Sequence, residues 1–190
     1  MVNLTRIYTR TGDAGETRLG DMSVTSKTDP RLMAYADVDE ANAHIGVALA
    51  DGSLDEDVVW VLTTVQNDLF DVGADFCNPI TENPEYPPLR IEQEYVDRLE
   101  AWCDHYNALV PNLRSFILNG GTPAAAHLHV ARTVVRRAER SIWAALEAHP
   151  ESMNPLTATY LNRLSDLLFV LARHANRAAG DLLWVPGANR

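Results

Sequence analysis

The chain has 190 residues and 46% hydrophobic content, enough for one domain that buries roughly 70% of its unfolded surface. It carries 26 acidic against 16 basic residues, a formal charge of −10. A field of that sign repels nucleic acid at long range, which excludes a nucleic-acid module, and any polyanionic ligand must be gripped by a concentrated basic patch.

Residues 1–28 lack helical periodicity. Ile7 to Arg18 alternates β-branched and polar residues around Gly12 and Gly15, which reads as an extended arm broken by a tight turn. The two glycines allow backbone N–H groups to converge on an anion, and Thr9, Thr11 and Thr17 add hydroxyls. No Gly-Lys-Ser/Thr follows, so the segment is not a P-loop. Asp29-Pro30 is a helix start, an N-cap followed by proline, and this first helix runs to Ala50 before Asp51-Gly52-Ser53 stops it. A second helix is predicted over 54–76, with Val61, Leu62, Val65, Leu69 and Val72 as its apolar stripe. Pro79, Pro84, Pro87 and Pro88 make 78–90 the longest loop, and a third helix follows over 91–109.

Phe116-Ile117-Leu118-Asn119-Gly120-Gly121 is an apolar segment ending in a glycine turn, and a long helix is predicted over 123–149. On it Ala131, Val134, Val135, Ala138, Ile142, Ala145 and Leu146 form one apolar arc. Arg132 and Glu139 sit at its edge and Arg136 just beyond. Arg132, Arg136 and Arg140 share a side at i, i+4, i+8. With Arg137 they make four arginines in nine residues without a lysine, a composition of planar forks that suits carboxylate or phosphate oxygens. His127 falls on the apolar arc and reads as a packed histidine; His129 falls on the arginine side. The last helix, 154–179, has a core stripe of Leu156, Tyr160, Leu164, Leu167, Leu168, Leu171 and Ala175. Asn162, Asp166, Phe169 and Arg173 make a second, exposed face that reads as a contact surface. The architecture is an all-α, up-and-down bundle of about five helices in a single domain, with an arm over 1–28, a bundle over 29–180 and a tail over 181–190.

Cys77 and Cys103 match no metal spacing, no Glu-x-x-His pair supplies a di-iron centre, and no Gly-x-Ser-x-Gly or catalytic-cysteine pattern occurs. The start of the chain does not resemble a signal peptide and no apolar run approaches the ~18 residues of a membrane span, so the expectation is a cytoplasmic chain with no membrane partner. Without a visible protein nucleophile, the residues point to binding, orientation and charge neutralisation around a reactive atom supplied from elsewhere.

Thr9-Arg10-Thr11-Gly12-Asp13-x-Gly15-x-Thr17, Lys27, Asp39-Glu40, Phe116-Ile117-Leu118, Arg136-Arg137-Ala138-Glu139-Arg140 and Tyr160-Leu161-Asn162-Arg163-Leu164-Ser165-Asp166 resemble, in order and over nearly the whole chain, the PduO-type ATP:cob(I)alamin adenosyltransferases. The resemblance implies a ferritin-like five-helix bundle assembled as a homotrimer with active sites between subunits. It implies transfer of the 5′-deoxyadenosyl group of ATP to cob(I)alamin, and further a flavoprotein reductase and an adenosylcobalamin-dependent mutase as partners. It assigns Thr9, Arg10, Thr11, Gly12, Gly15, Thr17, Arg18 and Lys27 to ATP, and Arg136, Arg137, Glu139, Arg140 and Asn162 to its triphosphate, ribose and base. Mg²⁺ is expected through the phosphates, with no protein metal ligand. Asp39 is implied to pair with Arg132 across the subunit boundary, and Phe116 to meet the corrin. The chain departs from the family pattern at Ala36 and Asp37, where Tyr-Gly is frequent, at Asn119 in place of proline, and at Arg10 in place of lysine. A non-enzymatic cobalamin carrier would need Phe116 but not the phosphate grip; a structural bundle would need neither.

Overall fold

The computed structural model describes residues 7–51, 53–84 and 86–188; the first six residues of the predicted arm, Gly52 of the predicted stop and the last two residues of the tail lie outside it. Among the described residues there are five helices, α1 Pro30–Ala50, α2 Glu56–Cys77, α3 Gln93–Asn107, α4 Pro123–Ala148 and α5 Leu156–Ala175, preceded by a hairpin of β1 Glu16–Arg18 and β2 Val24–Ser26. None is long and apolar enough to cross a membrane.

The helix starts follow from local chemistry. Asp29 caps α1 by accepting from the Arg31 amide, with Pro30 in the first turn, and the Arg31 guanidinium holds this carboxyl well below the usual carboxylate range. Thr122 caps α4 in the same way through the Ala125 amide, ahead of Pro123. Helix α5 begins two residues later and ends four earlier than periodicity predicts. At its start the Asn154 side chain turns to Asp75 and Ile91. At its end Asn176 spends its side chain on the Gly120 carbonyl and the Thr122 amide. Gly121, at φ +109°, is required there, because a Cβ would lie 2.3 Å from the Asn176 amide group.

Direction alternates along the chain. Asp29 of the α1 start meets His149 at the α4 end, Asp55 before α2 meets His174 near the α5 end, and Ile91 before α3 meets Asn154 before α5. The chain is therefore an up-and-down bundle: α1 packs on α2 and α4, α4 on α5, and α3 on α5. The predicted α2 stripe and α4 arc are buried throughout. The hairpin sits at the end of the bundle where α1 starts, tied to α2 by the Gly20 amide on the Cys77 carbonyl, 2.7 Å. The glycine turn before α4 and the tail after α5 lie at the other end, where residues 115–118 and 182–184 knit together. The Leu118 amide donates to Leu182 O (2.7 Å), the Trp184 amide to Phe116 O (2.8 Å), and Ile117 bridges to Leu183.

Two buried carboxylates lock the layers. Asp68 of α2 accepts both oxygens' bonds from Arg98 of α3 at 2.8 and 2.7 Å and one from the Tyr160 hydroxyl of α5; burial pushes its pKa up, against the pull of Arg98. Asp75, fully buried, accepts from Arg90, from the Ile91 amide and from Asn154, each at 2.7 Å, and so pins both ends of the proline loop. Removing one partner of a buried charged network leaves the others desolvated and unpaired. Asp75→Ala is expected to cost about 3 kcal/mol, read as a lower urea midpoint with an unchanged slope.

Candidate functional site

The arm residues surround an open hollow of about 640 Å³ beside the hairpin, lined by Thr9, Thr11, Gly12, Glu16, Thr17, Arg18 and Val24. The tight turn is present. The Gly15 amide donates to Gly12 O (3.3 Å), and Gly15 at φ +86° receives the Lys27 amide on its carbonyl (2.9 Å). A Cβ on Gly12 would stand 2.9 Å from Lys27 Nζ, so the bare glycine is what lets this ammonium lie against the turn. Arg10 adopts φ 63°, unusual for a non-glycine residue, and its guanidinium lies over Tyr8. Thr9 and Thr11 share a hydroxyl bond of 2.9 Å. Arg18 differs from the predicted picture in one respect: it donates to Met22 O at 2.8 Å and closes the hairpin turn.

A second hollow, about 420 Å³, lies on α4 and the neighbouring face of α5 and is lined by Thr133, Arg136, Arg137, Glu139, Arg140 and Asn162. Five of these six come directly from the predicted grip. Asn162 Nδ2 donates to Glu139 Oε1 at 2.9 Å, fixing the acidic edge of the hollow. Arg137 is already engaged within its own chain, by Asp37 at 3.2 Å and by Glu40 in a shorter contact, and Asp37 also accepts from Ser141 at 2.5 Å. Asp37, a departure from the family pattern, thus fastens α1 to the arginine stripe.

A third cavity, about 890 Å³, opens at the glycine-turn end and is lined mainly by Leu113, Phe116, Ile117, Asn119, Arg132, Phe169 and Trp184. Phe116 is 76% exposed, with Trp184 its ring neighbour at 6.0 Å. Arg132 lies over Phe169 at 5.9 Å and donates to Asn119 Oδ1 at 3.2 Å. Burial lowers the Arg132 pKa, and Arg136 adds to that lowering. Arg132, Arg136 and Arg140 share a stripe but not a hollow: the first faces the aromatic cavity, the other two the polar one.

Asp39 is exposed in a shallow depression between α1 and α2 with Tyr35, Asn42 and Phe70, whereas Arg132 faces α5. Three readings of the sequence need correction. His129, placed on the arginine side, is 3% exposed, and His127, placed in the core, is half-buried. Phe169 reaches across from α5 and covers His129 edge-on at 6.2 Å. Arg173, placed on an exposed face of α5, is buried, because the tail folds back over it: Asp181 accepts from its Nε at 2.8 Å and Pro111 O from its Nη2 at 2.5 Å. Sequence reasoning missed Trp184, which had no periodic element to place it. The thiols offer no nucleophile at neutral pH, since burial raises both and pushes Cys103 up to about 12.

A family model described as cobalamin adenosyltransferase matches residues 7–175. A corrinoid adenosyltransferase of Mycobacterium tuberculosis is 66% identical over 189 residues, spanning 100% of this chain and 97% of its own. A cobalamin adenosyltransferase of Cupriavidus metallidurans is 49% identical over 183 residues, 95% of each chain. Among solved structures, a variant PduO-type ATP:corrinoid adenosyltransferase from Lactobacillus reuteri, complexed with cobalamin and ATP, superposes with a TM-score of 0.85 at 36% identity, covering 95% of this chain and 97% of that one.

His129 gives this end of the molecule a pH signature. Both ring nitrogens are buried without a hydrogen-bond partner, and burial, aided by Arg132 and opposed by Asp181, lowers its pKa. The folded state therefore resists a proton that the unfolded state accepts near its ordinary pKa of about 6.5. Stability from this residue is fully present above that value and is lost as pH falls toward the depressed folded pKa. His129→Leu is expected to match or exceed wild-type stability at pH 7.5 and to show a flatter decline to pH 5, measured by urea unfolding across that range.

Proposed function

This chain belongs to the cobalamin adenosyltransferase family and is a corrinoid adenosyltransferase by class, and on that premise we propose that it transfers the 5′-deoxyadenosyl group of ATP to cob(I)alamin, giving adenosylcobalamin and triphosphate, from a site completed between subunits of a homotrimer. The observation that carries the composite site is the separation of its halves. The arm hollow and the arginine hollow share no lining residue, and the arm is fastened to α2 while the arginines occupy α4 and face α5. A nucleotide held by both sets is best accommodated with the arm of one subunit facing the arginines of the next.

In this reading Thr9, Arg10, Thr11, Gly12, Gly15, Thr17 and Lys27 enclose ATP, with Arg18 setting the hairpin that carries them. Arg136 and Arg140 bind triphosphate oxygens, and the paired Glu139 and Asn162 supply an acceptor and an amide to ribose or base. Arg137 joins the phosphate grip while Asp37 and Glu40 orient it. Among the described residues no group of three His, Cys, Asp or Glu stands together as a metal site, and Mg²⁺ would ride on the phosphates. Phe116, Phe169 and Trp184 offer an apolar wall to the corrin, keeping water from the lower cobalt face. Arg132 is proposed to pair with Asp39 of the partner subunit. The arm over 1–28, bundle over 29–180 and tail over 181–190 act as one domain of the cytoplasm, served by a flavoprotein reductase and passing product to a mutase.

The transfer forms a cobalt–carbon bond at C5′ as the C5′–oxygen bond breaks, and the electron pair leaves on triphosphate. Charge grows on the phosphate, so fixed guanidinium forks bind the transition state more tightly than ATP itself. Arg136→Ala is expected to lower kcat about a hundredfold, roughly 3 kcal/mol, with a smaller change in ATP affinity, in a spectrophotometric assay of adenosylcobalamin formation; Arg136→Lys restores only part. Full activity in Arg136→Ala means the stripe is merely solvated.

The composite site has its own test. Lys27→Ala and Arg136→Ala chains, each nearly inactive alone, are expected on co-assembly to regain about a quarter of wild-type activity, the share of interfaces with both halves intact under random mixing. No recovery on mixing places both halves in one subunit.

A further inference from the structure

We infer that Asn119 is a positioning residue for this reaction, holding the Arg132 guanidinium against the aromatic cavity while leaving its charge free for an anionic partner. The inference rests on the reading proposed above and names a residue that reading does not use.

Arg132 is held on two sides. Its guanidinium lies over the Phe169 ring at 5.9 Å, and its Nη2 donates to Asn119 Oδ1 at 3.2 Å. Its Nε is buried with no hydrogen-bond partner. No carboxylate of the chain is paired with it among the described residues. A guanidinium partly withdrawn from solvent, with one neutral acceptor, is oriented but not neutralised, and it retains a demand for a negative group. An aspartate at position 119 would meet that demand internally; asparagine supplies the same acceptor atom without doing so.

Asn119 is also placed to connect two walls of the cavity. It stands three residues after Phe116 and directly before Gly120, whose carbonyl is fixed by Asn176 at 2.9 Å. The loop bearing Phe116 is anchored by Asn176 on one side of Asn119 and by pairing with residues 182–184 on the other. The Asn119–Arg132 bond ties that loop to α4. Phe116, Asn119 and Arg132 all line the same cavity. Losing the bond frees a rotamer-rich arginine to leave the Phe169 face and loosens the loop at its midpoint, changing the corrin side while leaving the nucleotide hollow intact.

The test separates the two substrates. In the full-length enzyme Asn119→Ala is expected to raise the KM for cob(I)alamin about tenfold, the scale of one lost hydrogen bond to a charged group, with the KM for ATP within about twofold of wild type. The melting midpoint is expected to stay the same. Asn119→Asp, which keeps the acceptor, is expected to restore a cob(I)alamin KM close to wild type but to lower the trimer's resistance to dilution, because it competes for the charge offered across the interface. In an Arg132→Ala background Asn119→Ala is expected to add nothing. An active wild type with an unaffected Asn119→Ala, an equal rise in both KM values, or the same added effect on the Arg132→Ala background overturns the inference alone. A wild type that forms no adenosylcobalamin overturns the proposed function and this inference with it.

Discussion

Helix α4 meets two opposed demands along the same residues. One arc, from Ala124 through Leu146, must be buried against α1 and α5 to form the core, while the other side leaves the guanidinium groups of Arg136, Arg137 and Arg140 exposed to water. The small residues Ala131, Ala138 and Ala145 let the neighbouring helices approach closely, so the core holds without larger side chains spreading onto the arginine side. The cap by Thr122 and the Gly121–Asn176 lock set where the helix begins, and with it the direction in which each arginine projects. A shift at that lock would be felt at Arg132 and Arg136 together.

Charge is managed locally against an unfavourable background. The chain as a whole repels polyanions, yet the hollow around Arg136 and Arg140 gathers three arginines against the one carboxylate of Glu139, which Asn162 holds in place at the edge. The acids nearest this stripe are spent on Arg137, which bonds Asp37 and Glu40 of α1. Elsewhere carboxylates sit where they satisfy buried donors, as Asp68 and Asp75 do. Acidic residues thus serve the framework, and among the described helical residues the arginines left without a carboxylate, Arg132, Arg136 and Arg140, all lie on α4.

Short-range features were legible in the sequence. Asp29-Pro30, the apolar arc of α4, the stripe of α2 and the proline loop each follow from chemistry within a few residues, and helix α1 has the predicted bounds. The clustering of Arg136, Arg137 and Arg140 with Glu139 and Asn162 was legible because residue type and helical spacing act together. What escaped was set by distant partners. His129 reads as a side-facing residue until Phe169 arrives from α5, and Arg173 reads as exposed until the tail brings Asp181 over it. Asp75 looks like any acid in α2, since its three partners lie between 15 and 79 positions away. The pairing of 115–118 with 182–184 joins two irregular segments, neither of which has a period that announces it.

The continuous helix between Arg132 and Arg140 also acts as a ruler. Each residue advances about 1.5 Å and turns about 100°, so the aromatic cavity and the polar hollow are held at a spacing and angle set by the number of residues between them. One residue inserted there would swing one group away from the other by more than a quarter turn and carry the apolar arc out of the core with it. The proline loop over 78–90 has no such periodic constraint and could lengthen at little cost. Length variation among natural forms of this bundle should therefore collect in that loop and spare the eight-residue interval on α4, whatever substitutions either segment has accepted.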